Sequence, residues 1–107
     1  MTTGHKMVVL AKAAPGRSED LARWYDERHI PDLLAVPGVL SAERHAYTVI
    51  KQPAGTPEWD FLTIYELAGD DPMAVLAATA GVAIDDCLES SSTFALVAHS
   101  QGRRTTG

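Results

Sequence analysis

Apolar positions fall into four short β-rich runs, with two stretches of helical spacing between them. Met7-Val8-Val9-Leu10-Ala11 is the first run, and Pro15-Gly16 ends it. Ser18 is placed to cap a helix, and Glu19 and Asp20 follow where negative charge suits the helix dipole. Leu21, Trp24, Tyr25 and Arg28/His29 then recur three and four residues apart, which marks one helical face. Pro31 biases Ile30 away from helical angles, so this helix is expected to end at His29. Asp32-Leu33-Leu34-Ala35 adds one more turn before Pro37-Gly38.

Val39 to Ile50 reads as a long second strand. Ser41, Glu43, His45, Tyr47 and Val49 lie on one face, and Ala42, Arg44, Ala46, Thr48 and Ile50 on the other. Gln52 to Pro57 is a loop by composition, and Phe61 to Leu67 is a third strand that fits a hairpin with the second. Asp70-Asp71-Pro72 opens a second helix with an acidic cap and proline at its first position. Met73, Leu76, Ala77, Ala80, Ile84, Cys87 and Leu88 follow as a buried stripe, with Gly81 weakening the helix inside it. Thr93 to Ala98 is the last strand, and Gln101 to Gly107 reads as a frayed polar tail.

Strand, helix, strand, strand, helix, strand is the order of an α+β, ferredoxin-like βαββαβ fold: a four-stranded antiparallel sheet with both helices on one face. The strands are apolar on both sides, so the uncovered sheet face would expose a large hydrophobic patch. Homodimerisation through that face is the expected remedy.

Composition narrows the picture. A chain of 107 residues suits one domain spanning residues 1–107, with 102–107 expected to be flexible. The net charge is −5 and the only basic cluster is Arg103-Arg104, which argues against a nucleic-acid partner. Cys87 is the sole cysteine; its acidic neighbours Asp85, Asp86 and Glu89 suit a small core side chain rather than a reactive thiolate. The first residues lead straight into a strand rather than a signal-peptide core. No apolar run nears the roughly 20 residues needed to cross a bilayer, so no membrane role and a cytoplasmic location are expected.

His29 is the first candidate for chemistry. An apolar setting near the helix end would tune its imidazole as an acid or base; the alternative is a C-terminal cap on the last carbonyls. Asp26, His29 and Asp32 fan around a helix by about 600°, so no metal set is expected, and Asp26-Glu27-Arg28 reads as a solvated face. Arg44 and His45 point to opposite faces of strand two. Arg44 offers a planar fork for a carboxylate or phenolate, or an ion pair with Glu66 or with Glu43 of a partner subunit. Tyr65 offers a phenolic donor, or is a core tyrosine with a satisfied hydroxyl. His99 stands at the end of strand four near a pocket rim, and His5 is expected to be exposed. Glycine-rich phosphate loops, nucleophile elbows, paired cysteines and zinc-protease helices are absent, so no cofactor is expected.

The stretch from Trp24-Tyr25-Asp26-Glu27-Arg28-His29-Ile30-Pro31 through Pro37-Gly38-Val39 to Arg44 resembles the dimeric α/β-barrel superfamily, most closely its EthD-like branch. The resemblance implies a ligand cavity between sheet and helices, lined by histidine, tyrosine, arginine and tryptophan, with His29 at the family's recurrent histidine. The histidine that some polyketide cyclases carry in strand one has no counterpart in Met7-Val8-Val9, and no proximal histidine for heme is evident. The superfamily holds isomerases, cyclases, dehydratases and cofactor-free monooxygenases, so it implies a fold more than a reaction.

The expected function is cofactor-free proton transfer on an aromatic or cyclic, polyketide-like substrate, as an isomerase, dehydratase or cyclase. His29 would be the acid or base, with Arg44 and Tyr65 stabilising an oxyanion. Trp24 and Tyr25 would wall the substrate, with His45 and His99 at its rim. The alternatives are a non-catalytic binding homodimer and a cofactor-independent monooxygenase.

Overall fold

In the computed structural model, which describes residues 4–101 and 105–107, the four expected strands pair antiparallel in the order β2-β3-β1-β4. They are β1 (His5–Ala11), β2 (Val39–His45), β3 (Phe61–Leu67) and β4 (Phe94–His99). Arg103-Arg104 and the start of the expected flexible tail lie outside the described residues. The register sets Met7 opposite Tyr65, Val9 opposite Thr63 and Ala11 opposite Phe61, with Val97 beside Met7 on the other flank. These side chains therefore share one face, and most of them are buried.

That face is covered by two helical segments. The first is a continuous rod: α1 (Ser18–Trp24), a π-helical turn (Tyr25–His29) and α2 (Ile30–Leu34). The second is α3 (Pro72–Thr79), opened as expected by Asp71, whose Oδ1 accepts the Ala74 N–H at 3.2 Å. The core divides into two apolar clusters, one around Leu21, Tyr25, Phe61 and Cys87 and the other around Met7, Leu33, Tyr65 and Leu67. Burying each of these larger side chains is worth about 1.5–3 kcal/mol.

The rod does not end at His29. In α geometry the Pro31 ring would press on the Glu27 carbonyl. The wider π turn re-registers the bonds before the proline, and the Ile30 N–H donates to the Tyr25 carbonyl five residues back. Ile30 keeps helical angles (φ −62°, ψ −48°) and the chain runs on to Leu34. Ser18 does not cap α1 either. Arg17 holds that position, and the Ser18 hydroxyl donates to Asp60, whose other oxygen accepts the Ala13 N–H at 2.8 Å.

Two other elements are shorter than their patterns suggest. Strand β2 stops at His45; beyond it the Tyr47 hydroxyl bonds both the N–H and the carbonyl of Trp59 at 3.0 Å. Helix α3 stops at Thr79, short of Gly81. The expected stripe is not buried as one face, since Met73 is 63% and Ile84 56% exposed. Cys87 and Leu88 are covered by another route. Ala14 donates to the Cys87 carbonyl and Glu89 to the Lys12 carbonyl, both at 2.8 Å, which ties this segment to the end of β1.

Candidate functional site

The π turn brings Trp24 and His29 together. Five residues along an α-helix are about 500° of rotation, which would set these side chains well apart. With the i→i+5 pattern the two rings stack instead, centroids 4.4 Å apart and planes 23° from parallel. Tyr25 packs edge-on to His29 at 4.8 Å and to Phe61 at 4.8 Å, pinning the assembly to the sheet. His29 is only 7% exposed and its Nδ1 is buried without a hydrogen-bond partner. It caps no carbonyl and stands inside the rod, so the cap alternative does not hold. Burial pushes the imidazole below its ordinary pKa of 6.5, with nearby Asp32 opposing. A neutral ring, able to take a proton, is the form at neutral pH.

On the sheet beneath, Thr63 stands between Phe61 of one core cluster and Tyr65 of the other. Its hydroxyl and that of Tyr65 are buried without partners. The Tyr65 oxygen is therefore not the satisfied core hydroxyl of the alternative reading. Burial, then the proximity of Tyr25, pushes the Tyr65 phenol well above its ordinary range. Thr63 lies near enough to favour the phenolate slightly, although the two oxygens do not reach hydrogen-bond geometry. Burial also raises Tyr25, to about 12. Both phenols are thus neutral donors. Thr63 was not a sequence candidate, because a threonine inside a β-rich run carries no signal of its own.

Arg44 projects from the helix-covered side of β2, opposite Thr63. Within the subunit its partner is Asp26 rather than Glu66. Its Nε and Nη2 donate to the two oxygens of Asp26 at 3.0 and 2.8 Å, and its guanidinium lies 4.8 Å over the Phe61 ring. Asp26 is thereby part of a clamp between the π turn and the sheet edge, and the Arg44 hydrogen bond holds its carboxyl below the usual range. Because both groups are partly solvated, a double-mutant cycle on Asp26→Ala and Arg44→Ala, read by thermal denaturation, should give a coupling below about 1 kcal/mol.

The remaining candidates lie elsewhere. His45 is on the open sheet face, its Nε2 3.1 Å from Glu43. His99 faces His5 across the β1–β4 ladder, the Nδ1 atoms 3.0 Å apart. His5 is not exposed but 93% hidden as the first residue of β1, 7% being its exposure. Strand one therefore does carry a histidine, two residues before the segment Met7-Val8-Val9. Cys87 is buried and its thiol is pushed up to about 11, first by burial and then by Asp85, so it is no nucleophile.

A groove of about 420 Å³ opens between the first helix and the segment Ala83-Ile84-Asp85, lined by Trp24 and Asp32 among mostly charged residues. His29 does not line it; the Trp24 ring that stacks on the imidazole does. A more apolar groove of about 400 Å³ lies between α3 and β4 and includes His99. No helix among the described residues is long and apolar enough to cross a membrane.

No protein-family model and no curated protein matches the chain. Solved structures share its fold. One is a "putative monooxygenase" from Shewanella loihica PV-4, at 17% identity and TM-score 0.56 over 98% of this chain and 99% of that one. Another is an ethyl tert-butyl ether d (EthD) family protein from Bacillus halodurans C-125, at 12% identity and TM-score 0.55 over 94% and 100%. A protein of unknown function from Nitrosomonas europaea aligns at 18% identity and TM-score 0.53 over 100% and 97%. These likenesses bear out the ferredoxin-like fold expected from the order of elements, a fold shared with the EthD family protein.

Proposed function

We propose that the protein is a homodimeric enzyme of small-molecule proton transfer, with His29 as the acid–base group and Tyr65 and Thr63 as oxyanion donors. One observation carries this reading: three side-chain polar atoms, His29 Nδ1, Thr63 Oγ1 and Tyr65 OH, are buried in the helix-covered layer with no partner. A buried polar group left unpaired costs about 1–3 kcal/mol, and such costs are retained where a ligand supplies the missing bonds. A neutral base beside neutral phenols suits abstraction of a carbon-bound proton next to a carbonyl, with the enolate oxygen received by the hydroxyls. Trp24 and Tyr25 form an apolar wall suited to an aromatic or cyclic substrate. Arg44, occupied by Asp26, positions the π turn in this scheme rather than meeting the oxyanion.

The test is solvent-deuterium incorporation, read by mass spectrometry, into a panel of aromatic and cyclic 1,3-dicarbonyl compounds. Incorporation above the uncatalysed rate supports proton transfer. An oxygen electrode run in parallel addresses the second reading, cofactor-free oxygenation, which the name of the Shewanella protein favours. Binding without exchange or oxygen uptake would instead leave a ligand-binding dimer. Tyr65→Phe separates function from stability: removing an unpartnered hydroxyl should leave stability equal or up to about 1 kcal/mol higher, while exchange falls at least about ten-fold.

The dimer forms through the open sheet face in this proposal. Phe94 is 50% and Leu96 42% exposed there, beside Val8, Leu10, Leu62 and Ile64 on neighbouring strands. Glu43, His45, Glu66 and Lys6 edge this apolar centre, the pattern of a core with a polar rim. Leu96→Asp should convert a dimer to a monomer in sedimentation velocity at micromolar concentration. A wild-type monomer would refute the assembly.

A further inference from the structure

His5 and His99 stand directly opposite each other on β1 and β4, with Nδ1 atoms 3.0 Å apart and rings edge to face. Two imidazole nitrogens at that distance need one proton between them, so one ring donates and the other accepts. The environment chooses which. His5 is 7% exposed and its Nε2 is buried with no partner. If His99 donated, His5 would carry its own proton on that Nε2, a buried N–H without an acceptor, which is the rarer and costlier failing. If His5 donates from Nδ1, its Nε2 is a bare lone pair. His99 then accepts at Nδ1 and holds its proton on Nε2, at an exposed strand end.

His99 also lines the groove of about 400 Å³ between α3 and β4, whose walls are Met7, Met73, Leu76, Ala95, Leu96 and Val97. It is the groove's one polar side chain among the described residues. An apolar slot with one oriented donor matches the general form of a small-molecule site. We propose that His5 sets His99 as an Nε2–H donor, and that this groove binds a flat apolar molecule bearing a carboxylate or phenolate oxygen at one end. The site shares no residue with the His29 setting, and only Leu96 with the proposed dimer face, so the His29 and His99 readings stand or fall separately.

The full-length protein is tested with 2-naphthoate as the probe, titrated by its fluorescence, and with long-range proton–nitrogen NMR of the histidine rings. The expected spectrum places the His99 proton on Nε2. His99→Phe, which keeps the apolar wall, should weaken naphthoate binding about ten-fold or more, the worth of a hydrogen bond to a charged oxygen. Binding of uncharged naphthalene should be unchanged. His5→Phe should release the His99 tautomer and weaken naphthoate, whereas His5→Gln, whose amide still donates, should restore both. If His5→Phe fails to fold, the wild-type spectrum and His5→Gln decide. A His99 proton on Nδ1, naphthoate affinity unchanged in His99→Phe, or no saturation at millimolar naphthoate would each overturn the proposal.

Discussion

Replacing His29 with phenylalanine should lower deuterium exchange by about 10²–10⁴-fold, the usual contribution of a positioned acid–base group, while the chain keeps its fold. Phenylalanine preserves a ring to stack on Trp24 and to meet the Tyr25 edge, and it removes the unpartnered Nδ1. His29→Ala should abolish turnover as well, but it also opens a void between these rings, so phenylalanine is the cleaner probe. In the wild type the acidic limb of the rate profile should fall below pH 6.5, because burial lowers the His29 pKa and the base must be neutral. The same shift has a stability signature. The unfolded imidazole titrates near its ordinary value of 6.5 and the folded one lower, so the unfolded state binds more protons in between. Stability from this group is intact above 6.5 and is lost as pH falls through the folded value. The melting-temperature gap between wild type and His29→Phe should therefore shift in the variant's favour as pH falls from about 7.5 to about 5. A constant gap, or full exchange activity in His29→Phe, would remove His29 from the mechanism.

The largest stability effect is expected at Gly38. Its φ is +98°, in the region that favours glycine, and a Cβ there would meet Val75 Cγ2 at 2.6 Å. Two costs therefore add in Gly38→Ala: about 1–2 kcal/mol for the backbone and about 1–3 kcal/mol for overpacking against a β-branched side chain. A total near 3 kcal/mol is a large share of a small domain's stability and should lower the melting temperature by roughly 12–20 °C. Adding Val75→Ala should return the packing component and leave the backbone component, since the Val75 methyls make the two closest contacts. A drop under about 5 °C would show that the turn between α2 and β2 adapts.

The order of elements was legible because it rests on local rules. The β-rich run Phe61–Leu67 marks β3 at its observed bounds, and Asp71-Pro72 marks the start of α3. Where helical spacing misled, long-range pairing was the cause. Cys87 and Leu88 fit the stripe of α3, yet their backbone pairs with the segment after β1, more than seventy residues earlier in the chain. Ser18 has the chemistry of a cap, but Asp60, 42 residues later in the chain, takes its hydroxyl.

For the candidate site the divide is similar. Residue type and spacing point to His29, Tyr65, Trp24 and Tyr25, since aromatic and titratable groups on a helix beside a strand are visible in the chain. Their relationships are not. Pro31 reads as a helix end, and only the finished rod shows that a π turn absorbs it and slides His29 under Trp24. Arg44 meets Asp26 through packing of the rod on the sheet, and His5 meets His99 through strand register; no local pattern encodes either neighbour. Local propensity, then, establishes the stretch from Trp24 to Pro31 as helical and rich in aromatic and titratable groups, but not that the rod runs on through it. Packing across the sheet establishes which polar atoms of those groups are left buried and unpaired, because desolvation depends on every neighbour at once.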